Sequence, residues 1–153
     1  MKQTVTTGWH GLLAAGIFSL LLMLLFVPLC SAEEILIIGS KDIPADAVSR
    51  DEIRNIFLGE KVKWDSGEKI NFVLLMTEVH EAFLKQYMGS TAAQYQNYWK
   101  KMIFTGKAKS PKSFSSPEKV IEYVTNTGGI IAYIPSADYE KADKNKVKII
   151  SVR

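Results

Sequence analysis

Apolar positions along this chain fall into alternating blocks with strand and helix spacing. Ile35, Leu36, Ile37 and Ile38 are consecutive, rich in β-branching and ended by Gly39. They predict a strand covered on both faces, as in parallel sheets. After a polar loop with Pro44, Ser49-Arg50-Asp51-Glu52 has the form of a capping box, and Val48 stands where it can staple the entry. Ile53, Ile56 and Phe57 follow at helical spacing and Gly59 supplies the stop. Trp64 to Gly67 is turn material, and Ile70 to Met76 reads as a second strand.

Helix signals resume at Thr77, with Val79, Ala82, Phe83 and Tyr87 as one buried stripe and Gly89 as the close. Thr91 to Gln94 offers another capping box, opening a helix striped by Tyr95, Tyr98, Trp99, Met102 and Ile103. An aromatic stripe of this kind reads as core. Thr105 to Ser113 is a basic loop. Ser116 then caps a helix with Pro117 at its first position and Val120, Ile121 and Val124 on its buried face. Gly128-Gly129 turns the chain into a third strand over Ile130–Ile134, and Val147 to Val152 is a fourth. Strands separated by helices predict an α/β fold with a mostly parallel sheet flanked by helices.

The amino-terminal segment sets the compartment. Met1-Lys2 gives a positive start, Gly11 to Val27 is uncharged and Leu-rich, Pro28 breaks the run, and Cys30-Ser31-Ala32 ends it with small residues. That order is a secretory signal peptide. It predicts a signal over residues 1–32, cleavage after Ala32, and one exported domain over 33–153 in the periplasm. Two other readings stay open. The run approaches bilayer thickness, so an uncleaved segment would anchor the chain to the inner membrane. Cys30 would suit a lipoprotein, although Leu29 is bulky where such signals carry a small residue. Cys30 is the single cysteine, so the exported domain would have neither disulfide nor thiol chemistry.

Charge narrows the partners little. The formal charge is +3, a mild balance without the concentrated basic face that nucleic acid requires. Lys100-Lys101 and Lys107, Lys109 and Lys112 cluster locally; they read as solvated surface or as an anion-binding patch. No catalytic pattern is complete in any local stretch, while a Ser-His-Asp triad, which assembles from distant segments, stays open. His80-Glu81 begins like a zinc-protease helix, but Leu84 stands where the second histidine belongs. No serine sits in a nucleophile elbow, and there is no P-loop or dinucleotide fingerprint. The expectation is a protein that is not an enzyme and needs no metal or cofactor, with His80 a solvent-facing helical histidine. The candidate site is the end of the second strand. There, free amides of a new helix and the Thr77 hydroxyl would meet an anion, against the opposing charges of Glu78 and Glu81.

Three blocks then carry a resemblance. Ser49-Arg-Asp-Glu-Ile-Arg-Asn-Ile-Phe-Leu-Gly-Glu-Lys61 with Trp64 and Gly67, the stretch holding Tyr98-Trp99-Lys100 and Phe104-Thr105-Gly106-Lys107, and Gly128-Gly-Ile-Ile-Ala-Tyr-Ile134 together resemble phosphate ABC-transporter substrate-binding proteins, in a short exported subfamily. The resemblance covers nearly all of residues 33–153. It implies a periplasmic-binding-protein-like (type II) fold, here as a single lobe. It also implies recognition of phosphate or a similar oxyanion for a membrane transporter. The ligand-binding residues it suggests are Thr77, Glu78, His80, Thr105, Gly106 and Lys107, with no catalytic or metal-binding residue. Two departures stand out. Thr77-Glu-Val-His80 occupies the place of the family's Ser-Gly-Thr motif, leaving Thr77 as the one hydroxyl counterpart. The family binds between two lobes, so a second copy, in a homodimer, or an envelope protein would complete the cleft. The alternative function is a non-catalytic envelope interaction module that kept the fold and lost the ligand.

Overall fold

Strand β1 (Ile35–Ser40) lies inside a five-stranded sheet, and its sequence already required that: a run of four aliphatic residues has no face for water. The computed structural model describes residues 34–153; the leader and cleavage site read at residues 1–32 lie outside them. The described elements continue as β2 (Ala47–Val48), α1 (Arg50–Phe57), β3 (Asn71–Leu75) and α2 (Glu78–Phe83), which runs on as a π-helical turn (Leu84–Met88). Then come α3 (Ala92–Phe104), β4 (Lys112–Phe114), α4 (Pro117–Asn126), β5 (Ile130–Pro135), the short α5 (Ser136–Tyr139), β6 (Val147–Ile149) and β7 (Ser151–Val152).

The strand order is β4-β3-β5-β1-β6, with β2 and β7 forming a separate parallel pair. β3 runs parallel to β4 and β5, while β1 is antiparallel to both β5 and β6. Four of the five strands therefore point one way and β1 alone opposes them. The apolar run of β1 reports that both faces are covered; it carries no information on direction, because burial and hydrogen-bond polarity are independent. β5 is buried along its whole length. Tyr133 faces an aromatic layer from α1 and α2: its ring stacks on Phe83 at 3.8 Å between centroids and lies 5.7 Å from Phe57. Ala132 and Ile134, on the other side of the pleat, are fully buried as well. α4 packs across β5, β3 and β1 through the face carrying Val120, Ile121 and Val124.

Local signals hold where they are short-range. Both capping boxes form: Ser49 Oγ accepts from Glu52 N–H at 3.1 Å while Glu52 accepts from Ser49 N–H at 2.9 Å, and Thr91 and Gln94 do the same for α3. Lys61 Nζ reaches Glu52 at 2.6 Å and holds its carboxyl below the usual range. Three readings change. β4 lies inside the stretch read as loop, because its pairing with β3 is a tertiary contact. Ala82 is exposed and Leu84 is buried, because the buried face runs through Val79, His80, Phe83 and Leu84, which share one side of the helix. Ile103 is solvent-facing at the end of α3.

The end of β1 is tied to the turn before β5. Ser40 Oγ accepts from Ile130 N–H at 3.0 Å and donates to the Thr127 carbonyl at 2.9 Å, and Asp42 accepts from Gly129 N–H at 3.1 Å. A Cβ at Gly39 would stand 2.7 Å from Ile43 Cδ1 and 2.8 Å from Ile150 Cδ1. A side chain at this next-to-last position of β1 would have to displace both methyls.

Candidate functional site

The carboxyl end of β3 leads directly into α2, and the first residues of that helix carry the site the sequence singled out. Thr77 sits at the N-cap in extended backbone, but its hydroxyl caps no amide. His80 N–H returns to the Thr77 carbonyl at 2.9 Å. The amides of Glu78 and Val79 have no hydrogen-bond partner among the described residues, as expected of a first helical turn. Glu81 is committed elsewhere: its Oε2 accepts from Ala92 N–H at 2.9 Å, at the start of α3. Glu78 is exposed.

His80 is not solvent-facing as its sequence context suggested; it is only 5% exposed. Tyr133, from the middle of β5, explains the burial. Its hydroxyl is 2.5 Å from His80 Nδ1 and 3.2 Å from both the N–H and the carbonyl of Leu75. The direction of the His80–Tyr133 hydrogen bond follows the ring tautomer: either Nδ1–H donates to the phenol oxygen and the hydroxyl donates to the Leu75 carbonyl, or the hydroxyl donates to Nδ1. Burial lowers the His80 pKa, opposed in part by Glu81, so the ring is neutral near pH 7. Burial also raises the Tyr133 phenol far above its ordinary value. Tyr95 borders the same ring edge-on, and its hydroxyl donates to the Phe57 carbonyl at 2.6 Å.

Beside this pair is a hollow of about 400 Å³. Leu74 lines it from β3 and Met76 from just beyond, His80 from α2, Tyr95, Gln96 and Trp99 from α3, Ser110 and Pro111 from the loop entering β4, and Ser113 from β4 itself. His80 Nε2 has no protein partner and is not sealed from solvent, so it is the polar atom this ring offers to the hollow. Thr77 and Glu78 stand between Met76 and His80 in the chain without lining the space. Thr105, Gly106 and Lys107 do not line it either. They close α3: Thr105 Oγ1 donates to the Lys101 carbonyl at 2.8 Å, Gly106 turns at φ +68°, and the Gly106 and Lys107 amides donate to Ile103 and Met102 carbonyls at 3.0 Å. The three residues are thus separated in role from Thr77 and His80. Among the described residues no cluster of His, Cys, Asp and Glu could hold a metal ion.

The sequence missed Tyr133 as the partner of His80. The two are 53 positions apart, and an apolar strand containing one tyrosine has no local mark of a buried polar contact. A lone histidine beside a strand end, facing a helix stripe that was itself buried, was the one available hint.

No protein-family model matches the sequence, and the search of curated proteins returns no match. Solved structures do share the fold. PstS from Borrelia burgdorferi superposes with a TM-score of 0.62 at 19% identity, over 78% of this chain and 47% of that one. A phosphate-bound substrate-binding protein of Clostridium perfringens, assigned to phosphate ABC transport, gives 0.59 at 18%, over 77% and 44%. An ABC-type phosphate transport receptor from Vibrio cholerae gives 0.56 at 16%, over 77% and 45%. The chain spans under half the length of each of these proteins, and the fold it shares with them is periplasmic-binding-protein-like.

Proposed function

We propose that this chain is an exported, non-catalytic binding protein for a small oxyanion, phosphate foremost, that serves a membrane ABC transporter. One observation carries the reading: in a fold shared with phosphate-transport receptors, an open hollow lies where β3 ends and α2 begins, with His80 Nε2 as a polar atom on its wall. Open α/β sheets bind ligands at the carboxyl ends of their strands. Anions favour helix amides there because the donors are fixed and the helix dipole is positive. In this proposal His80 Nε2 meets the ligand, Ser110 and Ser113 add hydroxyls, Thr77 outside the lining borders the site at the start of α2, and Glu78 disfavours a highly charged ligand. The lysines after α3 supply positive field rather than direct bonds.

Calorimetry and thermal melting with phosphate, sulfate and small carboxylates test this. Measurable heat and a melting shift that grows with ligand concentration are expected. No heat and no shift at millimolar ligand would remove the proposal. A second reading, the interaction module without ligand, is favoured by exposed Glu78 in the first turn of α2, where it opposes an incoming anion. Recovery of a stoichiometric envelope partner that added phosphate leaves bound would support it.

A further inference from the structure

The exposed end of α3 combines two properties found together nowhere else among the described residues. Phe104 is 93% exposed and Ile103 42%, so an aromatic ring and an aliphatic side chain project into water side by side. Around them are Lys100 and Lys101, three or four residues back on the same helical surface, then Lys107 and Lys109 just beyond the Gly106 turn. None of these four lysines has a carboxylate partner among the described residues; the ion pairs there involve Lys61, Lys141, Lys144 and Lys148. Between Glu81 and Glu118 the sequence holds no aspartate or glutamate at all.

We infer that this tip is a membrane-contact site that takes an anionic phospholipid surface. The ring and Ile103 would enter the boundary between headgroups and acyl chains, while the lysines extend to the phosphates. Charge complementarity selects this occupant: an acid-free stretch carrying unpaired lysines is matched by a continuous negative surface. The nearly fully exposed ring is the last residue of α3, where few neighbours stand between it and a lipid surface. Read as a leader the amino-terminal apolar run carries the chain across a membrane, and read as an anchor it holds the chain there. This contact does not depend on the oxyanion reading.

The test uses the full chain with Cys30→Ser, which removes the single cysteine, and Thr105→Cys carrying an environment-sensitive fluorophore. The label reads insertion at the tip whatever the amino-terminal run does. With phosphatidylglycerol vesicles at low salt a blue shift is expected; with phosphatidylcholine vesicles it should be absent, and about 0.5 M salt should reverse it. Phe104→Ser should cut the shift at least fivefold, as should Lys100→Gln combined with Lys101→Gln. Ile149→Ser, on the strand at the opposite edge of the sheet, should leave it intact. Because Phe104 touches so little, its replacement does not threaten folding. An unchanged spectrum with vesicles, an equal shift on both lipids, or a shift that survives Phe104→Ser would overturn the assignment. A shift that needs no vesicles and grows with protein concentration would overturn it in favour of a second copy of this chain.

Discussion

Replacing Tyr133 with Phe deletes one oxygen from the centre of the molecule and should cost about 2–3 kcal/mol. The ring itself would stay, stacked on Phe83 at 3.8 Å, so no cavity larger than a hydroxyl opens. What is lost is the 2.5 Å contact to His80 Nδ1 and two 3.2 Å contacts to the Leu75 backbone. The two long contacts are weak. The histidine nitrogen, in contrast, would remain buried without a partner, and an unsatisfied buried group costs about 1–3 kcal/mol. Urea unfolding is the assay. With a slope of about 2 kcal/mol per molar, the midpoint should fall by roughly 1 M at unchanged slope. Adding His80→Leu removes the orphaned nitrogen, so the double variant should be about 1–2 kcal/mol more stable than the sum of the single losses. A Tyr133→Phe midpoint within about 0.2 M of the parent, or strict additivity in the cycle, would refute the view that this hydroxyl serves the histidine.

Other expectations are more local. The His80 pKa is lowered on folding by burial, so the unfolded chain takes up the proton first. The stability from the neutral ring is complete above about pH 6.5 and is lost as pH falls through the lower folded value. In urea melts from pH 7.5 to 5, the parent should therefore lose more stability than His80→Leu; equal losses would contradict the sign. Ser49→Ala removes the cap on α1 and should cost about 1 kcal/mol in the same assay, with no change in any ligand heat. Thr77→Val should leave stability within about 0.5 kcal/mol, because its hydroxyl makes no cap bond. It should weaken phosphate binding about tenfold if that hydroxyl meets the anion, and an unchanged affinity by calorimetry would take Thr77 out of the site. Gly39→Ala should destabilise by about 1–2 kcal/mol, by crowding Ile43 and Ile150 in a packed core.

The elements themselves were legible in the chain because their causes are local. A capping box closes over four residues, so Ser49-Glu52 and Thr91-Gln94 could be read directly and both form. The apolar run at Ile35–Ile38 fixed burial of β1, and the α/β alternation fixed the class of fold. Three things needed the tertiary structure. The direction of β1 depends on its neighbours, and nothing in an aliphatic run encodes it. β4 exists because β3 offers its edge at Val73–Leu75 to Lys112–Phe114; the sequence of β4 reads as loop. His80 turned from a surface residue into half of a buried pair because a strand 53 positions away carries Tyr133. Sequence determines what interacts within a turn or two; contacts across the sheet are decided by which surfaces the packed chain leaves in reach, and that is where this protein's candidate site is made.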